Sequence, residues 1–459
     1  MELFHRMAES AQKFDYRNDK QPLVSLYIIS YNNVHLLYHA IKSVLAQTHG
    51  NIEITISDDA SVGCTIEDSA RLVCLAALDL IFEQNEIPED TVFCYPWRQA
   101  ETISADKRTT YQKAVSYWEK SSYGTYQAQA IELIPQLFTN IRSVNFRRNR
   151  ENMGTVKHLK QLKRAASGKY VMFLAADDKL HDCNVIRDMI GYFEQLPDDA
   201  YVLTSQCGMY DDNLCNLLYY AVNDELKDII ANSTPMQLFG ELADWCIIPA
   251  AGTIYKKKVF EIYGDLDDRY HLIEDWTYFL KLARSGAKIY FYDRLTYMHR
   301  DGGISHGNTA GGSLAYRYYL EDCLLLTQQE ILPFLDQVTP SQRKRSLRRY
   351  KDTRMEYMRK YQFKNISFLN KISYFAYYIV RFRKKIMSKS VDFFNYRAKW
   401  AFLMGTLSII FSFLISIAPN PAPFSELIYR LLGCGGLILY FGATLTKCLF
   451  FLKNSVLHR

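Results

Sequence analysis

The chain has 459 residues, 49% hydrophobic and 23% charged, a balance that excludes a disordered chain and allows two or three domains. Its ten cysteines are scattered with no C-x-x-C pair, which excludes a zinc-site spacing and a disulfide framework and suits a reducing cytoplasm. The formal net charge of +6 hides an asymmetry, because residues 341–400 hold 18 Lys and Arg against 3 Asp and Glu, leaving about −9 elsewhere.

Residues 1–21 are polar and charged with no apolar core, so they read as a lead-in and not as a cleaved secretory signal. Leu23–Ser30 is a continuous apolar run, the pattern of a buried parallel strand, and Tyr31-Asn32-Asn33 stops it. Leu36, Leu37, Ala40, Ile41, Val44 and Leu45 recur at helical spacing and predict a helix over His35–Thr48. Ile52–Ser57 follows as a second strand, ending in Asp58-Asp59-Ala60-Ser61. Strand, helix and strand over this length make a right-handed βαβ unit, so Asn32 and Asp58-Asp59 share one sheet edge. An acid there can accept hydrogen bonds from a base or a ribose, or can close an Asx turn. The residues alone leave both open.

Ile66–Gln84 is the next predicted helix. Residues 86–140 are too long for an ordinary connection and too apolar for a linker. They read as an inserted helical subdomain, with helices at Asp106–Lys120 and Thr125–Phe138. A strand is predicted at Ile141–Phe146, and a helix at Thr155–Ala166 closed by Gly168. The apolar run Tyr170–Ala176 then ends abruptly in Asp177 and Asp178. This second βαβ unit delivers two acids to the same edge. There they can hold a divalent cation, and through it a diphosphate, or else cap the following helix.

From Leu314 the pattern turns helical and then basic. Tyr374–Ile386 mixes aromatics with cations, as an interfacial helix or a packed amphipathic helix would. Trp400–Ala418 carries no charge, and Leu431–Thr446 is likewise uncharged, extending to Leu452 past Lys447. Pro419-Asn420-Pro421-Ala422-Pro423 makes a turn between them. The expectation is a transmembrane hairpin within 399–452 and a cytoplasmic tail at 453–459, with a core hairpin as the alternative. The basic region 314–398 would then meet an anionic membrane surface, not nucleic acid. Basic flanks face the cytoplasm, so the chain is expected to be a multi-pass cell-membrane protein with its catalytic domain cytoplasmic.

In their order and spacing, several fragments resemble glycosyltransferase family 2 over Pro22–Ser305. They are Val24–Asn32, Ala40–Thr48, Glu53–Ser61, Glu151-Asn152-Met153-Gly154, Ala166–Asp178 and Glu274-Asp275-Trp276. The resemblance implies an α/β GT-A fold over 22–313: a Rossmann-like mixed sheet flanked by helices, followed by the helical carboxyl-terminal region and the transmembrane hairpin. It implies that Asp59 meets the nucleobase, with Asp58 near the ribose. Ser30, Tyr31, Asn32, Asn152 and Gly154 would complete the nucleotide site. Asp177 and Asp178 match the family's Asp-x-Asp-Asp element, with Ala175 where the first acid usually stands. Asp178 would be the direct ligand of Mn²⁺ or Mg²⁺ and Asp177 its support, with strict metal dependence left open by Ala175.

Asp275 falls where the family keeps its general base, although two acids also suit a helix N-terminus. Glu274, Trp276, Gly252 and Thr253 lie on the acceptor side, and a core position is the other reading of Trp276. Arg300 in Tyr297–Ser305 is a candidate diphosphate clamp, with His299 as an alternative group. The implied activity is inverting transfer of a sugar from a nucleotide-diphospho-sugar, expected to be UDP-linked, to a hydroxyl of a lipid-linked or membrane-proximal glycan. Two alternatives stand beside it. A sugar nucleotidyltransferase would need a Gly-rich basic loop after the first strand, which is missing. A catalytically inactive membrane scaffold has Ala175 as its argument.

Overall fold

The structure, a computed structural model, describes residues 16–84, 131–132, 134–301 and 314–362. The chain divides into two compact units, Met1–Arg354 and Met355–Arg459. Of the second, residues 355–362 are described, and they are helical. Most of the segment expected to form the helical insertion lies outside the described residues. So do the interfacial segment Tyr374–Ile386, the hairpin at 399–452 and the tail.

Strand β1 (Val24–Ser30) leads through a short 3₁₀ turn into α1 (Leu37–Leu45), then β2 (Ile52–Asp58) and α2 (Ile66–Gln84). Next come β3 (Ile141–Arg148), α3 (Thr155–Ala165), β4 (Tyr170–Ala175), β5 (Lys179–Leu180) and α4 (Val185–Phe193). The chain continues through β6 (Val202–Tyr210), β7 (Leu217–Tyr220), α5 (Asp224–Asn232), α6 (Pro235–Leu242) and β8 (Ile254–Lys256). After a short helix follow α7 (Glu274–Arg284), β9 (Ile289–Arg300), α8 (Leu314–Leu326) and α9 (Pro340–Tyr357). Helix α1 is shorter than its apolar spacing predicts. Gln47 and Thr48 leave it for tertiary bonds, Gln47 Nε2 donating to Asp182 O at 2.7 Å and Thr48 N to Cys183 O at 2.8 Å.

Among the described residues the strands form one mixed sheet in the order β3-β2-β1-β4-β8-β6-β9-β5, with β7 on β6. Strand β1 pairs in parallel with β2, from Val24↔Ile52 to Ser30↔Asp58, and with β4, from Val24↔Tyr170 to Ile29↔Ala175. Strand β8 is antiparallel to both β4 and β6, and β9 is parallel to β6. Strands β1, β2, β3, β4, β6 and β9 therefore all finish on one edge, where antiparallel β8 begins. The mixed sheet with flanking helices fits the expected α/β class.

Alternate residues of β1 serve opposite faces. Val24, Leu26 and Ile28 join α1, α2 and α4 in one core, while Tyr27 meets Leu162 and Ala166 on the α3 side. A second core gathers Phe239, Trp276, Phe279 and Leu326 from α6, α7 and α8. Ile134 and Phe138, at the end of the expected insertion, are fully buried in the first core.

The expectation of a multi-pass membrane protein is corrected here. Among the described residues no helix is long and apolar enough to cross a membrane. The physical reason is charge: α2 carries Glu67, Asp68, Arg71 and Asp79, and α9 is studded with Arg and Lys. Part of the basic block serves the fold itself. Arg345 bonds Glu241 at 2.6 Å and Asp244 at 3.1 Å, pinning α9 to the end of α6.

At the entrance to β4, a Cβ on Gly168 would lie 2.6 Å from Leu23 O and 2.7 Å from Ser25 N, both backbone atoms. Gly168→Ala is expected to destabilise the protein by about 1–3 kcal/mol, as overpacking does. Thermal unfolding at an unchanged midpoint would refute this.

Candidate active site

The first acids lie where β1 and β2 end. Asp58 accepts from Ser30 Oγ at 3.1 Å, Ser61 N at 2.9 Å and Arg148 Nε at 3.2 Å, and also from Ser61 Oγ. It thus closes the turn and anchors β3. Asn32, at φ 56°, accepts from Val62 N and donates its own N–H to Ser61 Oγ. Tyr31 stays exposed beside it. Asp59 takes Asn149 Nδ2 at 2.7 Å and Met153 N at 3.0 Å on one oxygen, and Gly154 N at 3.0 Å on the other. Asn152 Oδ1 accepts from the same Gly154 N–H at 2.8 Å. Gly154 has φ 78°, a left-handed conformation, and begins α3. Asp59 therefore shapes the Asn149–Gly154 loop. Below it, Ser57 Oγ lies 2.6 Å from His158 Nε2, and burial lowers the pKa of that imidazole.

The second pair of acids behaves unequally. Asp178 is 2% exposed and has both oxygens engaged, one 2.8 Å from His299 Nδ1 and the other accepting Arg300 N–H at 3.1 Å. Burial lowers the His299 pKa, but the neighbouring Asp178 carboxylate outweighs it and raises the net value. Arg300 Nε donates to Asp177 O at 3.0 Å, while its Nη2 is buried with no partner among the described residues. Burial and the charge of Asp178 raise the pKa of the half-buried Asp177. His39 of α1 faces this corner too. Burial, with Lys179, Arg300 and Lys42 nearby, lowers it to about 4, so it is neutral near pH 7.

A divalent cation is tested against these residues. Among the described residues no three His, Cys, Asp or Glu side chains group to hold a metal ion. Asp177 nevertheless sits beside Asp178 with its carboxyl pushed up by burial and by that charge, a disfavoured pairing that a cation would relieve. The donor set fits an ion that draws its remaining ligands from a bound diphosphate and water.

At the start of α7, Asp275 Oδ1 accepts the Trp276 N–H at 2.7 Å, which favours the charged form, yet burial pushes the carboxyl up to about 6. Burial and the adjoining Asp275 hold Glu274 well above its usual range, and Glu274 Oε2 is buried without a partner among the described residues. Trp276 is 4% exposed, and its Nε1 donates to Leu242 O at 2.7 Å. It belongs to the core, while Trp245 beside it is half exposed under the Arg349 guanidinium at 3.9 Å. Gly252, at φ 87°, leaves no room for a Cβ, which would lie 2.7 Å from Ser205 Oγ. Thr253 is buried, its Oγ1 donating to Pro249 O at 2.7 Å. These two residues shape the turn into β8.

Residues 25–67 match the family described as Glycosyl transferase family 2. They span β1, α1, β2 and the Asp58–Asp59 turn. The match lies within the first βαβ unit and supports a transferase. No curated protein matches it. Among solved structures, that of S. aureus TarS 1–349 in complex with UDP-GlcNAc is 10% identical with a TM-score of 0.40, covering 93% of this chain and 92% of that one. The mannosyltransferase PcManGT from Pyrobaculum calidifontis, in complex with GDP-Man and Mn2+, is 12% identical with a TM-score of 0.40, covering 97% and 93%. Superpositions this loose decide neither fold nor activity.

The glycosyltransferase motifs point to Asp59, Asp177, Asp178, Asp275 and Arg300 but not to His39, Trp245 or Asp322. The last is 1% exposed on α8, beyond the family-like stretch. An Asp directly before Cys323-Leu324-Leu325-Leu326 was the available signal, since a buried acid demands partners.

An unfolded Asp titrates near about 3.9, so folding favours protonated Asp275; that contribution is complete below about pH 4 and lost as pH rises through about 6. Asp275→Asn removes the burden of a buried charge. Its melting temperature relative to the parent is expected to be higher at pH 8 than at pH 4.5. A difference independent of pH would refute burial as the cause.

Proposed function

We propose that this transferase is an inverting glycosyltransferase that moves a sugar from a nucleotide-diphospho-sugar to a hydroxyl of a glycan acceptor. The observation that carries the reading is Asp275, a carboxyl raised to about 6 at the start of α7, in a chain whose first βαβ unit matches the family. Near neutral pH such a group is largely ionised and still basic enough to take a proton. Asp275 accepts the acceptor hydroxyl's proton as that oxygen attacks the anomeric carbon, and the nucleoside diphosphate departs from the opposite face. Burial and the adjoining Asp275 raise the pKa of Glu274 well above its usual range, and in its protonated form it can donate a hydrogen bond to the acceptor. The catalytic domain is residues 22–313.

On the donor side, Asp59 and Asn152 hold the loop that carries Gly154, and exposed Tyr31 offers a ring for a base to stack on. Arg300, with its buried unpartnered Nη2, engages the diphosphate. Asp177 is the acid that would face a divalent cation, with Asp178 behind it holding His299 and Arg300. When bound, Mn²⁺ or Mg²⁺ would supply positive charge to the departing diphosphate. A UDP-linked donor is the first to test, and a lipid-linked glycan is one form of the acceptor.

A thermal-shift and turnover panel of UDP-glucose, UDP-GlcNAc, UDP-galactose and GDP-mannose, with and without Mn²⁺ or Mg²⁺, tests this reading. At least one donor should raise the melting temperature and release a nucleoside diphosphate. Asp275→Asn should lower turnover by about 10²–10⁴-fold while donor binding persists. Arg300→Ala should weaken donor binding instead. Retained turnover in Asp275→Asn would sink the base assignment, and release of pyrophosphate from a nucleoside triphosphate and a sugar phosphate would indicate nucleotidyl transfer.

A further inference from the structure

The approach to Asp275 is held from a helix outside the family-like stretch. Helix α7 has Ile273 at its N-cap, with no side-chain cap of its own. Just before it, Asp322 Oδ2 accepts the backbone N–H groups of His271 at 2.8 Å and Leu272 at 2.7 Å. Its Oδ1 lies 3.2 Å from His271 Nδ1. The His271 ring lies flat on Tyr318, one turn earlier on α8, with centroids 4.5 Å apart and planes 4° from parallel. On the other side, His271 O is 3.8 Å from the point where a Cβ on Gly154 would stand. The peptide that Asp322 grips is therefore the one that reaches the loop shaped by Asp59. Burying a carboxylate is costly unless hydrogen bonds satisfy it, and here two backbone bonds and one imidazole contact all go to His271–Leu272.

We infer that Asp322 is a positioning residue for the base: its carboxylate fixes His271–Leu272 and so sets where Asp275 stands relative to the Gly154 loop. This rests on the reading of Asp275 as the base. Misplacement by about 1 Å costs on the order of 10²-fold in rate, so a clamp two residues before the helix matters to turnover more than to donor affinity.

Asp322 also bears on how the acids titrate. The groups facing the Glu274–Asp275 pair are Asp322 from α8, Cys246 after α6 and Tyr255 on β8, with Arg349 of α9 acting on Cys246. Asp322 is among the charges that raise Glu274. Replacing it with a neutral group of the same shape lets the pair ionise at lower pH.

The test compares full-length Asp322→Asn, Asp322→Ala and Asp275→Asn, using nucleoside diphosphate release from whichever sugar nucleotide of the panel turns over fastest. Asp322→Asn is expected to lower kcat by about 10–100-fold with donor KM unchanged. The acid limb of its pH profile should move to lower pH. Asp322→Ala should share the loss of kcat and also melt lower. A purely structural role would lower the melting temperature and leave the pH profile where it was. Should Asp322→Asn fail to fold, Asp322→Glu carries the test, since it keeps the charge but moves the carboxylate by one methylene from the two backbone N–H groups it holds. It is then expected to lower kcat by about three- to tenfold at unchanged donor KM. Parental kcat and pH profile in Asp322→Asn, or parental kcat in Asp322→Glu, overturn the clamp even if Asp275→Asn is inactive. An active Asp275→Asn overturns the base assignment itself.

Discussion

Strand β1 hydrogen-bonds along its length to β2 on one side and β4 on the other, both parallel to it. Paired on both edges and packed on both faces, it is apolar apart from Ser25, the Tyr27 hydroxyl and Ser30 at its end. Register alone brings Asp58 level with Ser30 and Ala175 level with Ile29 there. The acids that follow β2 and β4 must then emerge beside each other on one edge. A one-residue slip would turn each strand's apolar set away from its core, so the position of the acids is as secure as the core itself.

Most of these acids are committed to structure. Asp58 closes its own turn, Asp59 holds the Asn149–Gly154 loop, and Asp178 joins the end of β4 to the end of β9 through His299 and Arg300. Strands β4 and β9 are not neighbours in the sheet, but β5, which follows Asp178 directly, pairs with β9, and the carboxylate bonds beside that pairing. Among the described residues, what remains for a ligand is less than a list of acids suggests: Asp177, the unpartnered Nη2 of Arg300, and exposed Tyr31. The half-buried pair Glu274 and Asp275 share one helix start, where like charges partly removed from water cannot both ionise easily.

The basic carboxyl-terminal block divides in two. Arg345 and Arg349 are used inside the first unit, the former on Glu241 and Asp244 and the latter over Trp245 and Trp276. Cations that composition alone assigns to an external partner are here internal fastenings. Trp276 shows the same lesson from the other direction. Beside a candidate base it invites a sugar-stacking role, but its ring is walled into the α6–α7 core, and the exposed ring is Trp245.

The sequence by itself determined the two βαβ units, their strand bounds to within a residue or two, and the acids at their ends. Continuous apolar runs and helical spacing are local properties, and parallel crossover has one hand. The resemblance of ordered fragments pointed to Asp275 as well. Tertiary structure alone decided which acid oxygens are free and that the long strand β6 lies between β8 and β9. It also decided that Asp322 grips the peptide before the base. Those facts depend on contacts between residues dozens of positions apart, such as His271 with Asp322 and Asp178 with His299, and no periodicity in the chain encodes who meets whom across a sheet edge.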